Sequence, residues 1–179
     1  MRQTKLLRLV TAAVFAALTC VATMIVNIPI PATKGYVNMG DCIVLLGAFF
    51  LGPVYGMAAG ALGSMLSDVF LGYAQYAPGT LVIKGLMALL AAVLFLALRK
   101  KIRTTSLLPA IVSAFAGEIW MVTGYFAYES LLLGYGLAAA ASVPANLLQA
   151  AGGLVLSALL FRALCAVPAI RRMTERKES

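Results

Sequence analysis

The chain contains no histidine and only three cysteines, Cys20, Cys42 and Cys165, which stand far apart within or beside apolar segments. Zinc sites use groups of histidine and cysteine, and disulfide frameworks use cysteines in pairs. A protease that relies on serine and histidine is excluded by the missing histidine. The sequence therefore predicts neither a metal site nor a disulfide framework.

A phosphate-binding loop is also missing. Residues 79–85 read GTLVIKG, which lacks the spacing G-x-x-x-x-G-K-[ST] that surrounds a phosphate with backbone amides. The chain therefore does not hydrolyse ATP by that route. An acid dyad built from Asp41 and Asp68 would lack the usual flanking sequence. We predict that the protein is not an enzyme and carries no cofactor.

Charge is scarce as well. Charged residues make up 11% of the chain, against about 25% in ordinary soluble domains, and 63% of the residues are hydrophobic. This composition is typical of an integral membrane protein. The net charge of +8 comes from basic clusters separated by apolar stretches, at the two ends and at 99–103. Such clusters indicate cytoplasmic ends under the positive-inside rule, so we predict contact with membrane lipid and no binding of nucleic acid.

The apolar segments predict a single domain, residues 1–179, with six membrane-spanning helices. A span needs about 20 residues, and Gly52-Pro53 and Pro78-Gly79 break the longest apolar region. The basic clusters must all lie on the cytoplasmic side, so the number of membrane-spanning helices between neighbouring clusters must be even. Because the first and last clusters are at the ends of the chain, both termini are predicted to lie in the cytoplasm. The predicted fold class is an all-α integral membrane bundle with helices at 6–26, 36–51, 54–73, 81–98, 107–128 and 137–160.

The connections and ends of this bundle carry three further predictions. The loop at 27–40 lies on the extracellular side, and residues 167–179 form a cytoplasmic tail. The first helix follows a basic start, as a secretory signal does, but its apolar run is longer than a usual signal core. We therefore expect this helix to be retained.

Five charged residues lie within or at the ends of the apolar segments: Asp41, Asp68, Lys84, Glu118 and Glu129. An ionisable group at the bilayer centre costs about 2.5 to 3.5 kcal/mol, so a chain that keeps several is using them. The predicted topology puts all five at the midplane or in the outer half, level with Asn146 and Gln149. We predict a water-accessible cavity, open to the exterior, that holds a small polar molecule.

Several polar residues have a second interpretation. Asp68 and Lys84 either contact a ligand or form only a structural ion pair. Glu129 fits a solvated loop residue better than a ligand contact, and Asn38 and Asn146 are either ligand contacts or caps and interhelical hydrogen-bond partners. Six aromatic residues lie towards the predicted outer surface, where an interfacial aromatic belt is their default role. Stacking of one or two of their rings on a flat ligand is the alternative. The six are Tyr73, Tyr76, Trp120, Tyr125, Tyr128 and Tyr135.

Small residues four positions apart let helices approach closely in lipid. The third helix region contains Gly52, Gly56 and Gly60, followed by Gly63, which favours packing inside the bundle. The first helix contains two overlapping Ala-x-x-x-Ala patterns, formed by Ala12, Ala13, Ala16 and Ala17. These alanines are candidates for contact with an external partner.

Residues 35–85 read GYVNMGDCIVLLGAFFLGPVYGMAAGALGSMLSDVFLGYAQYAPGTLVIKG. This stretch resembles the substrate-binding S components of energy-coupling factor (ECF) vitamin transporters. The similar features are the Gly-Tyr-x-Asn-x-Gly-Asp opening, the Leu-Gly-Pro-x-x-Gly turn, the Ser-x-x-Ser-Asp segment and the Pro-x-x-x-x-x-Lys-Gly start of the fourth helix. The resemblance covers about the first hundred residues, while 104–179 agrees mainly in the number and length of helices.

The resemblance implies a six-helix subunit in the plasma membrane of a prokaryote, with residues 27–40 as a lid over the vitamin. It also implies that the first helix contacts a transmembrane coupling subunit that carries two ATPases, with Ala13 and Ala17 favoured over Ala12 and Ala16. Asp41 and Lys84 would belong to the common frame of the site, and Glu118 would select the vitamin. The predicted substrate-binding residues are Tyr36, Asn38, Asp41, Asp68, Tyr76, Lys84, Glu118, Tyr125 and Asn146.

Cavity chemistry ranks the substrates. Three acids against one lysine favour a ligand with hydroxyls, a ring nitrogen or an amine, such as a vitamin B6 form or the hydroxymethylpyrimidine precursor of thiamine. Pantothenate and riboflavin follow closely. Two other classes stay open: a stand-alone secondary transporter that couples its carboxylates to ions, although no repeat relates the two halves, and an assembly protein, which would need none of the outer polar groups.

Overall fold

The structure is a computed structural model that describes residues 5–102 and 107–167. The predicted all-α bundle of six helices is confirmed. The helices are α1 Lys5–Ile25, α2 Asp41–Leu51, α3 Pro53–Phe70, α4 Ala77–Arg99, α5 Leu108–Ala127 and α6 Val143–Cys165. Residues 1–4 and 103–106 lie outside the described ranges, as does the predicted tail beyond Val167.

Four helical segments of the described chain are long and apolar enough to cross a membrane: Lys5–Ile25, Ala77–Arg99, Leu108–Leu132 and Gly136–Cys165. The last two include short turns next to α5 and α6. α2 has only 11 residues, about half of the roughly 20 that a full span needs. α2 and α3, with 18 residues, meet at Gly52, whose φ of 82° suits glycine, and Pro53 then starts α3.

A two-stranded antiparallel hairpin joins α1 to α2. Strand β1 is Ile28–Ile30, strand β2 is Gly35–Val37, and Ile28 pairs with Val37. The prediction that a helix starts at residue 36 is therefore wrong, because residues 35–37 pair with β1 and α2 begins only at Asp41. Lys34, with φ 54°, makes the tight turn into β2.

Several other predicted boundaries differ from the structure, among them the end of α6, which lies at Cys165 rather than at residue 160. α3 ends at Phe70 rather than at residue 73. α4 starts at Ala77 rather than at residue 81. Pro78 fits its first turn, because amide hydrogens in that turn have no partner within the helix and proline lacks one. α5 is followed by a π-helical turn, Tyr128–Leu132, and the helix predicted from residue 137 begins with a 3-10 helix, Gly136–Ser142, before α6 proper.

The centre of the bundle is formed by α4, which packs against α3, α5 and α2. Met87, Ala88 and Ala91 have no exposed surface. Towards the end of α4, Phe95 packs on Phe49 of α2 with ring centroids 4.7 Å apart and on Phe161 of α6 at 5.4 Å. These apolar side chains fill the half of the bundle that lies away from the hairpin. Most of the buried polar side chains lie in the half next to the hairpin.

Close helix contacts follow the glycines of α3, as predicted. A Cβ atom added to Gly56 would lie 2.8 Å from Ala48 Cα of α2, and one added to Gly63 would meet the Ala16 carbonyl of α1. The two alanine pairs of α1 therefore have different surroundings. Ala12 is buried and Ala16 is half-buried, whereas Ala13 and Ala17 are exposed.

Candidate binding site

A cavity lies between the hairpin and the adjoining ends of the helices. It contains about 420 Å³ of space between atoms, part of it open to solvent. Every helix except α2 contributes to its wall, together with the hairpin and the turns that precede α4 and follow α5. The lining residues are Thr23, Ile30, Gly35, Tyr36, Asn38, Ser64, Asp68, Tyr76, Thr80, Lys84, Tyr125, Glu129, Asn146 and Gln149.

The cation of this cavity is already paired. Lys84 Nζ donates to Asp41 Oδ1, and each side chain is at most 2% exposed. An ion pair between Asp68 and Lys84 was one of the two alternatives, and the structure does not show it, because Lys84 pairs with Asp41, the first residue of α2. Two opposite charges that neutralise each other in a buried place leave little net charge for a ligand.

A chain of hydrogen bonds extends from this ion pair to the hairpin. Gln149 Nε2 donates to Asp41 Oδ2 at 2.7 Å, and the backbone N–H of Asn38 donates to Gln149 Oε1 at 2.8 Å. Asn38 Oδ1 in turn accepts from the backbone N–H of Gly40 at 2.9 Å. These hydrogen bonds join α2, α4, α6 and the end of β2, so they fix the position of the cavity wall.

Asp68 makes a different contact. Its Oδ1 accepts from the Tyr36 hydroxyl at 2.5 Å, while its Oδ2 is buried and has no hydrogen-bond partner within the described residues. Burial, and then the negative charge of Asp68, raise the pKa of Tyr36, so this hydroxyl keeps its proton and donates. Oδ2 of Asp68 is therefore an acceptor without a hydrogen-bond partner among the described residues, on a side chain that lines the cavity.

Glu129 is not a solvated loop residue, contrary to the sequence-based interpretation. Only 2% of its surface is exposed. Its Oε1 lies 3.0 Å from the Tyr76 hydroxyl, and its Oε2 accepts from the Ser142 hydroxyl. The π-helical turn Tyr128–Leu132 continues the helix beyond α5. Glu129 follows Tyr125 by four residues, so both side chains lie on the face that lines the cavity.

Glu118 lies behind the cavity wall. It is 2% exposed, and both carboxyl oxygens lack a hydrogen-bond partner among the described residues. A Cβ added to Gly153 of α6 would meet Glu118 Oε1 and would lie 2.9 Å from Asp41 Cβ. Glu118 and Asp41 therefore share the glycine surface of α6, and neither lines the cavity.

The aromatic residues divide into two groups. Tyr76 and Tyr125 line the cavity, and the Tyr125 hydroxyl lies 2.9 Å from Thr80 Oγ1. Trp120 of α5 is 37% exposed and donates its indole N–H to the Ile83 carbonyl of α4 at 3.1 Å. Tyr128 donates to the Gln75 carbonyl at 2.7 Å. Tyr76 and Tyr125 thus lie where they can contact a flat ligand, as does Tyr36 of the hairpin, whereas Trp120 and Tyr128 do not line the cavity.

Seven of the nine predicted site residues line the cavity, all but Asp41 and Glu118. The sequence prediction omitted Thr23, Ser64, Thr80, Glu129 and Gln149. Helical spacing carried a usable signal for four of them, because residues three or four apart share a helix face. Ser64 precedes Asp68 by four residues, and Thr80 precedes Lys84 by four. Glu129 follows Tyr125 by four, and Gln149 follows Asn146 by three.

Metal binding has no support in this region. Within residues 5–102 and 107–167, no group of three or more histidine, cysteine, aspartate or glutamate side chains is placed to hold a metal ion. The wall of the cavity consists mainly of hydroxyls, amides and tyrosine rings, which suit an organic ligand with several hydrogen-bonding groups.

Comparison with known proteins identifies the family. The sequence model described as "ECF-type riboflavin transporter, S component" matches residues 3–166. The chain belongs to this family. A protein of Pyrococcus woesei described as "Uncharacterized protein in gap 3'region" is 38% identical over 136 residues, which are 76% of this chain and 86% of that protein.

Two solved structures share the fold of this S component. One, described as the S component of a bacterial ECF transporter, has a TM-score of 0.69 and 22% identity over 89% of this chain and 95% of that chain. The other, an S component for biotin from an ECF-type ABC transporter, has a TM-score of 0.53 and 19% identity over 90% of this chain and 94% of that chain. The predicted family is therefore confirmed. The protein is a multi-pass membrane protein and a substrate-binding subunit of an ECF transporter, not a catalytic enzyme.

Proposed function

We propose that this S component binds riboflavin in the cavity beneath the hairpin. The hydrogen-bonding groups of the cavity wall carry this proposal, since all of them except Lys84, Asp68 and Glu129 are uncharged. Lys84 is paired with Asp41, and most of the remaining wall consists of uncharged hydroxyl, amide and tyrosine groups. Riboflavin is itself uncharged and combines a flat ring system with a chain of hydroxyls. The description of the matching family, which names riboflavin, supports the same choice.

Pantothenate fits this wall less well. Its carboxylate would need the ammonium of Lys84, which already pairs with Asp41 and is 1% exposed. Separating that pair would leave Asp41 buried without a counter-charge, which costs several kcal/mol. A neutral vitamin avoids this cost.

A B6 form or hydroxymethylpyrimidine is the second candidate, and one observation favours it. Asp68 Oδ2 is buried at the cavity without a hydrogen-bond partner among the described residues. A protonated ring nitrogen or an amine would donate to this oxygen with the extra strength of a charged hydrogen bond. Riboflavin offers its neutral ring N–H or a chain hydroxyl instead.

The proposal assigns the predicted site residues two roles. The ligand contacts are the seven that line the cavity: Tyr36, Asn38, Asp68, Tyr76, Lys84, Tyr125 and Asn146. Asp41 and Glu118 are positioning residues, since Asp41 holds both Lys84 and Gln149 in place and Glu118 lies beside it.

We further propose that α1 contacts the coupling subunit through Ala13 and Ala17. These alanines are exposed on the outer face of α1, whereas Ala12 is buried and the Ala16 carbonyl packs against Gly63. The coupling subunit would carry two ATPases. The hairpin would face the exterior of a prokaryotic plasma membrane and cover the vitamin, with both termini in the cytoplasm.

Mass spectrometry of small molecules released from freshly purified protein tests the substrate. We expect riboflavin at about one molecule per chain, and we expect the refilled protein to prefer riboflavin over pyridoxine, hydroxymethylpyrimidine and pantothenate in titrations. Asp68→Asn separates the two candidates. A neutral ligand should lose about 1.5 to 3 kcal/mol of binding, the range for a hydrogen bond to one charged group. A cationic ligand should lose about 3 to 5 kcal/mol, because it also loses its buried counter-charge. Release of a B6 form without any flavin would overturn the riboflavin assignment.

A further inference from the structure

Three polar contacts hold the β1–β2 hairpin over the cavity. Two are near its junction with α2: the Tyr36 hydroxyl donates to Asp68, and the Asn38 amide donates to Gln149. The third holds the turn, where the Tyr76 hydroxyl lies 2.7 Å from the carbonyl oxygen of Thr33. The turn is the part of the hairpin farthest from α2, so the third contact restrains its opening.

The Tyr76 hydroxyl is buried directly beneath the hairpin backbone. Tyr76 is 4% exposed, and a Cβ added to Gly35 would lie 3.0 Å from its oxygen. The same oxygen lies 3.0 Å from Glu129 Oε1. Two acceptors, the Thr33 carbonyl and the Glu129 carboxylate, therefore surround one hydroxyl that has a single proton to donate. Both Tyr76 and Glu129 also line the cavity.

We propose that Tyr76 and Glu129 form a ligand-sensitive latch on the hairpin. When a ligand hydroxyl donates to Glu129 Oε1, the carboxylate no longer competes for the Tyr76 proton, which then goes to the Thr33 carbonyl. Ligand binding thereby strengthens the contact that keeps the hairpin closed. This inference rests on the proposed function and extends it, because it places the hydroxyl-bearing end of the ligand at Glu129.

Two variants separate the latch from a merely structural role. Tyr76→Phe keeps the ring but removes the only proton that the Thr33 carbonyl receives from this contact. Glu129→Gln keeps the shape of the side chain, but its amide nitrogen donates to the Tyr76 oxygen and leaves the Tyr76 proton to Thr33. Tyr128→Phe is the matched control, since Tyr128 bonds to the Gln75 carbonyl and does not line the cavity.

Hydrogen exchange of the backbone amides in residues 28–37 should be measured with and without riboflavin, on purified full-length protein. In wild type and in Tyr128→Phe, we expect riboflavin to slow exchange. Tyr76→Phe should exchange faster in both states, and its dissociation rate for riboflavin should rise about two- to twelvefold, the loss of one ordinary hydrogen bond. Glu129→Gln should be protected even without ligand.

Two results would overturn the latch. One is exchange in Tyr76→Phe equal to that in Tyr128→Phe. The other is Glu129→Gln exchanging as fast as Tyr76→Phe without ligand, which would mean that Glu129 supports the hairpin rather than competing with it. If wild type binds no riboflavin, the proposed function fails, but the ligand-free comparison of the variants still decides whether the latch exists.

Discussion

Lys84 shows how a buried charge is made tolerable in this protein. Its ammonium is 1% exposed and would be costly alone in the bundle, but Asp41 compensates it and Gln149 occupies the second oxygen of Asp41. Each of these side chains comes from a different helix. The ion pair therefore positions α2, α4 and α6 around the cavity.

A double-mutant cycle tests the identity of the partner. Asp41→Asn and Lys84→Met should each lower the free energy of unfolding by about 3 to 5 kcal/mol, because each leaves a buried charge without its partner. The double variant should lose less than the sum, with a coupling of about 1 to 3 kcal/mol. Chemical unfolding in detergent micelles measures these differences.

The matched cycle pairs Lys84→Met with Asp68→Asn. Asp68 bonds to Tyr36 rather than to Lys84, so we expect a smaller coupling than for Asp41, carried only by the attraction between the two separated charges. A larger coupling for Asp68 than for Asp41 would contradict the pairing described above.

At the scale of elements, α6 fits against α2 and α5 only because it carries glycine where their carboxyl groups meet. A Cβ at Gly153 would meet Glu118 Oε1 and would lie 2.9 Å from Asp41 Cβ. The neighbouring Gly152 faces only the flexible end of Met39, which a Cβ would contact at 3.4 Å. The bundle thus has room for a Cβ atom at Gly152 but not at the adjacent Gly153.

Gly153→Ala should therefore destabilise the protein by about 1 to 3 kcal/mol through overpacking. Gly152→Ala should be neutral or stabilise it by up to about 1 kcal/mol, because alanine favours the helix and the site has room. Thermal unfolding of the two variants in the same detergent makes the comparison. Equal melting temperatures would show that Gly153 is not tightly packed.

Sequence patterns predicted the helices well where a helix is long and apolar, as in α1 and α4. They failed where short-range geometry decides the structure. Residues 35–37 are apolar enough to extend α2, but they form β2 because the turn at Lys34 brings them beside β1. Glu129 was misplaced because the helix was predicted to end at residue 128, whereas it continues through Leu132 and keeps Glu129 on the face of Tyr125. Neither alternative for Lys84 named Asp41 as its partner, since the relative position of α2 and α4 is a property of the packed bundle.

At the scale of the whole molecule, α1 has two unlike faces. Its inner face packs on α3, while its outer face carries Ala13 and Ala17 among exposed apolar residues such as Val14 and Val21. Small residues on an exposed helix face let another membrane helix approach closely. The face of α1 that carries Ala13 and Ala17 is thus separate from the residues that line the cavity.

Ala17→Trp should abolish riboflavin uptake in cells that contain the coupling subunit and ATPases, because the large ring blocks the approach of the partner helix. Binding of riboflavin by the purified variant should be unchanged. Val155→Trp is the control, since Val155 is 52% exposed on α6, away from α1, and it should retain uptake. Uptake by this chain alone in proteoliposomes, driven by a proton or sodium gradient, would instead favour the secondary transporter.

The hydrogen bond from Trp120 to the Ile83 carbonyl has a practical value. Trp120 is the single tryptophan of the chain, and its indole is tied to the residue that precedes Lys84. Its fluorescence therefore reports from one known point beside the ion pair. A bound flavin absorbs light in the range where tryptophan emits, so occupancy of the cavity would quench this emission in the unlabelled protein.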